Sequence, residues 1–249
     1  MLNLFWGKYN TGRIFLPFSF EHLLGVAIIF VAISTLFIFK DFYKKRDIKA
    51  RYAVAGAMAI QQMLLYLWYI TSGSFTFGES LPLYTCRIAI IVSIFMMIKP
   101  RQWMVDVAYF WGMAGGLVAL ITPDTSTFAF PHFMFIQYFW GHGLLLFSIF
   151  YMLVIKECTI NLQSLRRIIK ISLWYVVIII PFNKISGGNY SYLSGKPLTP
   201  TILDVLPPYP FYIPIILMLV SAVFVLAYLP HWFYNKKISG GYEALDMET

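Results

Sequence analysis

Residues 19–39 read S-F-E-H-L-L-G-V-A-I-I-F-V-A-I-S-T-L-F-I-F, and this stretch decides the fold class. Apart from Glu21 and His22 near its start it holds only apolar and small residues. About 20 such residues in a helix span the ~30 Å hydrocarbon core of a bilayer. We therefore expect a transmembrane helix here.

Six further apolar runs of similar character follow along the chain. They cover residues 52–71, 80–98, 104–121, 134–155, 168–182 and 211–233. The sixth of the seven runs, 168–182, is the shortest. The pattern predicts an all-α, polytopic membrane protein with about seven transmembrane helices.

The composition agrees with lipid as the solvent. Hydrophobic residues make up 59% of the chain and charged residues 12%, against roughly a quarter charged in soluble domains. No linker or repeat divides the chain, so we expect one transmembrane domain over residues 1–237. Residues 238–249 are polar and predict a mobile cytoplasmic tail. The long segment 183–210 is rich in Gly and Pro but also in apolar residues, and we expect it to fold back over the outer face.

The placement of Lys and Arg predicts the orientation, because basic loops stay in the cytoplasm. With seven helices, one side carries Lys40, Lys44, Lys45, Arg46, Lys49, Arg51, Lys99, Arg101, Lys156, Arg166, Arg167, Lys170, Lys236 and Lys237. The opposite side carries only Lys8, Arg13, Lys184 and Lys196. We expect the N-terminus outside and the C-terminus in the cytoplasm. The net charge of +8 then reflects topology and anionic lipid, and no nucleic-acid partner is expected.

Polar groups inside hydrophobic spans are costly and are candidates for function. Counted from the outer ends of their spans, Cys86 and His142 lie at similar depths. Further candidates in the outer part of the bundle, assigned to substrate binding, are His22, Arg87, Gln137, Asn183, Asn189 and Tyr190. Arg87 is expected to pair with Glu21 or a lipid phosphate. A shared depth in the outer leaflet suits a site that reaches lipid headgroups and ester bonds.

These residue types suggest nucleophilic acyl transfer. A thiol needs a base or a positive neighbour to become a good nucleophile, and His142 and Arg87 supply these for Cys86. Gln137, Asn183 and Asn189 are alternative donors for an oxyanion. Plainer interpretations stay open: Cys86 as an inert small residue, and His142, between two glycines, as a hydrogen-bonding group at a helix interface.

The sequence offers no metal or cofactor motif. Neither HExxH nor CxxC occurs, so no cofactor and no metal are expected, and a site built from His22, His132 and His142 is only a weak alternative. Cys86 and Cys158 are placed at opposite ends of their spans and are expected to be free thiols.

Several of these segments together resemble a known family. They are L-P-L-Y-T-C at 81–86, P-H-F at 131–133 with Gln137 and G-H-G at 141–143, G-N-Y at 188–190, K-P at 196–197 and Y-P-F-Y at 209–212. In order and placement they resemble the YwaF-like family of bacterial membrane proteins, which is similar to the animal acyltransferase transmembrane protein 164. The resemblance implies a multi-pass protein of the bacterial plasma membrane that moves acyl chains of phospholipids. It also implies Cys86 as nucleophile and His142 as the matching histidine, with one departure at Tyr84, where the family motif often has His or Gln.

Two other functions stay open. A small transporter or lipid-binding membrane protein would use the same polar residues without chemistry, although no inverted repeat favours a transporter. A structural or regulatory partner subunit is the third possibility. The acyl donor, the acceptor and the oligomeric state are not encoded in any motif.

Overall fold

The helices of this protein were located in a computed structural model that describes residues 2–9, 13–123, 125, 128–196 and 202–246. Ten α-helices follow one another: α1 (Leu2–Trp6), α2 (Phe20–Ile38), α3 (Lys40–Lys45), α4 (Asp47–Thr71), α5 (Thr85–Ile98), α6 (Gln102–Val107), α7 (Met113–Ile121), α8 (Phe133–Val154), α9 (Leu162–Ser186) and α10 (Tyr212–Asp246). A π-helical turn, Ala108–Gly112, joins α6 to α7, and short 3-10 helices cover Tyr190–Tyr192 and Ile202–Val205. Within the described ranges no strand occurs, apart from one isolated bridge between Ile14 and Phe128.

Six of the described helices are long and apolar enough to cross a membrane, and they confirm the predicted all-α, polytopic class. They are α2, α4, the continuous α6–α7 unit, α8, α9 and α10. The remaining predicted span corresponds to α5, which has only 14 residues and is about 21 Å long at ~1.5 Å per residue. The seven predicted runs therefore correspond to six long helices and one short one.

Two predicted boundaries were wrong. The third span does not begin at Ser80, because residues 80–84 form turns and α5 starts at Thr85. The sixth is not short, since α9 has 25 residues. The helix begins earlier than predicted, at a capping box in which Asn161 accepts a hydrogen bond from the Ser164 amide at 3.0 Å. Near its other end the helix continues through Pro181.

The C-terminal segment predicted as a tail begins inside α10, which extends to Asp246. Residues 247–249 lie outside the described residues, and the mobility of the tail stays a prediction. The same holds for Pro197 and its neighbours through 201 in the predicted outer loop.

Helix α8 lies at the centre and packs against α2, α4, α5 and α7. Its Leu145, Tyr151 and Met152 are completely buried. By contrast α2 lies at the periphery, where Phe30 and Val31 are among many exposed apolar side chains. We use "outer end" for the end of the bundle with the N-termini of α2, α5, α8 and α10, following the predicted orientation.

Charged side chains tie the opposite end together. Asp47 accepts from Lys156 at 2.9 Å and from Arg51 at 3.2 Å. Glu157, in the loop after α8, accepts from Lys40 at 3.0 Å and Lys44 at 2.8 Å. These two lysines lower the pKa of Glu157 to about 2. The basic loops thus connect α3, α4 and α8 at this end.

Candidate functional site

A cavity of about 420 Å³ lies between α4, α5, α7 and α8 toward the outer end. Cys86 and His142 both line it, together with Arg87 and Gln137. Its other polar lining residues are Gln61, Gln62, Tyr69, Glu79, Tyr84, Thr122, Thr125, Tyr138 and Tyr192. Four of the eight residues selected from the sequence thus come together in one cavity.

Cys86 is the second residue of α5, and its thiol lies directly against α7. A Cβ atom on Gly115 would stand 2.5 Å from Cys86 Sγ, which real structures do not tolerate. Only glycine at this position leaves room for the thiol. Cys86 lies in the first turn of α5, where a helix carries partial positive charge.

The first turn of α5 also places backbone amides beside Cys86. Tyr84 precedes the helix and provides no side-chain cap. The first amide N–H groups of a helix have no intrahelical partner, so those of Thr85, Cys86 and Arg87 are not used by the helix itself. An anionic group next to Cys86 would meet hydrogen-bond donors here.

His142 is oriented by the backbone of its own helix. Its Nδ1 lies 2.8 Å from the carbonyl oxygen of Tyr138, and its ring packs on the Tyr138 ring at 4.4 Å. Because a carbonyl oxygen only accepts, Nδ1 carries the hydrogen. In the neutral ring Nε2 then keeps its lone pair. This tautomer is the one that a general base requires.

Arg87 lines the cavity and also holds the turn before α5. Its Nη1 donates to the carbonyl oxygens of Ser80 at 3.0 Å and of Glu79 and Leu81 at longer range. Its Nη2 donates to the Tyr69 hydroxyl. The expected pairing with Glu21 is wrong, since Arg87 satisfies the carbonyl groups of the turn before α5 instead. Unpaired backbone groups are costly at membrane depth, so this guanidinium allows turns to precede the short helix α5.

Gln137 belongs to a row of amides that the sequence did not predict as a unit. Gln61 Nε2 donates to Gln137 Oε1 at 2.8 Å, and Gln62 Nε2 donates to Gln61 Oε1 at 2.7 Å. Gly141 leaves room for it, because a Cβ there would stand 3.0 Å from Gln61 Nε2. Two adjacent glutamines in the middle of an apolar span were the available sequence signal.

His22 lies outside the cavity. Its Nδ1 accepts from the Phe18 amide at 2.8 Å, so its Nε2 donates to the Leu120 carbonyl oxygen at 2.7 Å. The side chain is 1% exposed. It connects the start of α2 to the end of α7.

Asn183, Asn189 and Tyr190 also lie outside the cavity and build the loop beside it. Asn183 exchanges two hydrogen bonds with the backbone of Tyr190, at 2.9 and 3.1 Å. Asn189 Oδ1 accepts from the amides of Ser194 and Gly195. The Tyr190 hydroxyl donates to the Phe77 carbonyl oxygen and accepts from the Leu81 amide.

This loop supports the cavity wall. The Tyr190 ring meets the edge of Tyr84 at 5.0 Å, and Tyr84 and Tyr192 line the cavity. The described part of segment 183–210 therefore folds over the outer end, as expected. Tyr84 is therefore part of this packing.

A second cavity, of about 560 Å³, lies between α2 and α8. It is apolar along most of its length, with Arg13 and Glu21 in its lining. We call it the α2–α8 groove. In the described part of the chain, no three His, Cys, Asp or Glu side chains gather as a metal site would require.

The helices and the cavity define a polytopic, all-helical membrane protein that places a thiol and an imidazole in one internal cavity. The model of the TMEM164 family matches residues 17–228, from before α2 into α10. The chain therefore belongs to the TMEM164 family. No curated protein and no solved structure is similar enough to the chain to match it.

Proposed function

We propose that the protein is a membrane-embedded acyltransferase or lipid acyl hydrolase that acts on phospholipid acyl chains through a thioester on Cys86. The observation that carries the proposal is the position of Cys86 and His142 in the wall of one cavity. The hydrogen bond from His142 Nδ1 to Tyr138 leaves Nε2 as the basic atom. A thiol and a base in one site are the minimum that nucleophilic acyl transfer needs.

The reaction has two balanced steps. In the first, His142 Nε2 takes the thiol proton while Cys86 Sγ attacks the ester carbonyl, and the proton passes to the leaving alcohol as the C–O bond breaks. In the second, a hydroxyl of another lipid, or water, attacks the thioester and gives its proton to His142, and the thiolate leaves and is reprotonated. If a lipid hydroxyl attacks the thioester, the enzyme is an acyltransferase; if water attacks it, the enzyme is a hydrolase.

The start of α5 supports the same chemistry. A tetrahedral intermediate carries negative charge on the former carbonyl oxygen, and donors aimed at that oxygen usually contribute the largest electrostatic stabilisation. The amides of the first turn of α5, which have no intrahelical partner, lie beside Cys86. Gln137 lines the same cavity, but its NH₂ group already donates to the Met134 carbonyl oxygen, so we propose that it shapes the substrate-binding wall. Asn183 and Asn189 are held in the adjacent loop, so we assign them a supporting role.

We also propose a branch of the family, a membrane and an orientation for this chain. We place the chain in the YwaF-like branch of the family and in the bacterial plasma membrane, with the N-terminus outside and phospholipids as its partners. This orientation puts the cavity in the outer half of the bilayer, where ester bonds of the outer leaflet are within reach.

A lipid-binding or transport protein without catalysis is the second candidate. The α2–α8 groove favours it, because its apolar lining with Arg13 and Glu21 suits a lipid with a polar headgroup. Such a protein would bind phospholipid without forming a covalent intermediate.

Covalent trapping separates the two candidates. Purified protein in mixed micelles is incubated with a phospholipid that carries a labelled acyl chain, and the label on protein is measured before and after hydroxylamine. We expect hydroxylamine-sensitive label on the unchanged protein and none on Cys86→Ala. His142→Ala should label about 10²- to 10⁴-fold more slowly, the usual contribution of a general base. Cys158→Ala, which removes the other thiol, is the matched control and should label normally.

Two results would reject the proposal. One is full lipid turnover by Cys86→Ala. The other is the absence of both label and turnover in every sample, which would favour the lipid-binding candidate.

A further inference from the structure

The row of amides in the cavity wall has a fixed direction. Gln137 Nε2 donates to the backbone carbonyl oxygen of Met134 at 3.3 Å, and a carbonyl oxygen can only accept. Gln137 therefore turns its own Oε1 toward Gln61, which must present its NH₂ group there. Gln61 Oε1 then faces Gln62, which donates its NH₂ group in turn.

The row ends at an oxygen without a partner. The Gln62 NH₂ group donates its hydrogen bond to Gln61 Oε1. The other polar atom of the Gln62 side chain, the buried Oε1, has no hydrogen-bond partner among the described residues. The side chain is only 8% exposed and lines the cavity. A rotation of the amide would not help, because the NH₂ group is needed by Gln61. The free atom is thus an acceptor by necessity.

Thr125 provides a second such atom. Its side chain is 4% exposed and lines the same cavity, and its Oγ1 has no hydrogen-bond partner within the described part of the chain. Thr122, also in the lining, differs because its hydroxyl donates to the Val118 carbonyl oxygen at 3.0 Å. Buried polar groups in native proteins nearly always have a partner, either protein or ordered water, so two free atoms in one cavity indicate that a water molecule or a ligand group enters it and bonds to them.

The chemistry of these atoms defines the ligand group. Gln62 Oε1 requires a donor, and Thr125 Oγ1 can accept or donate. Arg87 and Glu79 both line the cavity and their opposite charges offset each other, so the lining offers an ammonium donor no net attraction. A neutral hydroxyl satisfies all three conditions.

We propose that Gln62 and Thr125 bind a neutral hydroxyl group of the lipid that enters the cavity. The proposal rests on the proposed function only in placing a lipid in this cavity. The amide row would then select among lipids. It would bind lipids with a free hydroxyl more tightly than lipids that carry only hydrogen-bond acceptors. The hydroxyl is supplied either by the headgroup or by the glycerol backbone of a lysolipid.

Binding is measured on the full chain with Cys86→Ala, so that no chemistry contributes. Phosphatidylglycerol is compared with phosphatidylpropanol of the same acyl chains, which lacks only the two headgroup hydroxyls. Lysophosphatidylpropanol, which has a free backbone hydroxyl, tests the other source. We expect one of the two hydroxyl-bearing lipids to bind on the order of 10-fold more tightly than phosphatidylpropanol, as a buried hydrogen bond would provide.

Substitutions then assign the preference to the two residues. Gln62→Met should remove the preference, and Thr125→Val should weaken it. Gln62→Glu should retain it, because a neutral buried carboxyl group donates to Gln61 and still offers an oxygen. Thr122→Val and the lipid-facing Met63→Leu are the matched controls and should bind as the parent does.

The outcomes separate this proposal from the catalytic one. If neither hydroxyl-bearing lipid is preferred, or if Gln62→Met keeps the preference, the hydroxyl site is rejected whether or not Cys86 forms a thioester. If the preference is found and lost as expected while no thioester forms on the unchanged protein, the hydroxyl site stands and the acyltransferase proposal fails.

Discussion

The two faces of α8 border two cavities of similar size and opposite chemistry. Gln137, Tyr138, Gly141 and His142 line the polar cavity, and the α2–α8 groove is lined by Ile136, Phe139, Trp140, Gly143, Leu144 and Phe147. At ~100° per residue these two sets lie on opposite sides of the helix. One helix thus separates a site that suits chemistry from a surface that suits acyl chains.

The difference follows from what each face meets. The polar face turns toward α4, α5 and α7, where side-chain amides and carbonyl groups supply hydrogen-bond partners. The apolar face turns toward α2, whose outward side chains are exposed along its length. A polar group without a partner is costly in lipid, so polar residues are confined to the interior face. The comparison predicts that substitutions on the two faces have separable effects.

Gly115→Ala is expected to have the largest effect. The new methyl group would lie within 2.5 Å of Cys86 Sγ, so the thiol must move away from its place. A displacement of this kind costs about 100-fold in rate, measured as the rate of hydroxylamine-sensitive labelling. Gly56→Ala, on α4, has no atom within 4 Å of the new Cβ and is the control. A normal labelling rate for Gly115→Ala would contradict a nucleophile at this position.

The positions of the spans along the chain could be predicted from the sequence because each span is encoded by its own residues. A run of about 20 apolar residues is sufficient to identify a spanning helix, and all seven runs fell on helices. The start of α5 was missed because it depends on Arg87 binding the carbonyl groups of residues 79–81, a contact that no local pattern reports. The length of α9 was underestimated because hydropathy overlooks a polar capping box such as that of Asn161 and Ser164.

The candidate site was predictable only in part. Depth within the spans placed Cys86 and His142 at a similar level, and it placed Arg87 and Gln137 in the same outer part of the bundle. Depth does not define the direction in which a side chain faces, so His22, buried at a similar level, was not separable from them. Gly115 had no polar signal, and its importance depends on the distance between α5 and α7.

Gln61→Leu is expected to have the second-largest effect, which is a loss of stability. The substitution leaves Gln137 Oε1 and the Gln62 NH₂ group without their partners. Buried groups that lose a partner cost roughly 1–3 kcal/mol, and hydrogen bonds between membrane helices average less, so we expect a loss of about 2 kcal/mol. Denaturant titration in micelles measures the free energy of unfolding, with the lipid-facing Met63→Leu as control. An unchanged value would show that the amide row does not stabilise the polar face.

Gly25→Ala tests the opposite face of α8. A Cβ on Gly25 would lie 2.9 Å from the Phe139 ring, and overpacking of this kind costs about 1 kcal/mol or somewhat more. We expect a reduced melting temperature with an unchanged labelling rate at Cys86, because Phe139 faces the α2–α8 groove. The reverse pattern, a slower reaction without loss of stability, would show that the two faces are coupled.

Glu157→Gln is expected to have the smallest effect and concerns neither face. Glu157 anchors the far end of α8 through Lys40 and Lys44, and its pKa is lowered to about 2 from the usual 4.5. Because the folded-state pKa lies below the unfolded one, the contribution is fully present above about pH 4.5 and is lost as the pH falls toward 2. The melting temperatures of the parent and Glu157→Gln should therefore differ slightly at pH 7 and converge near pH 2, since exposed ion pairs contribute little. Asp41→Asn, which removes an acid from α3 that has no ion pair among the described residues, is the control. If the difference in melting temperature stayed constant from pH 7 to pH 2, the loop after α8 would be held by packing. The charges of this loop would then not position α8, the helix that separates the cavity from the groove.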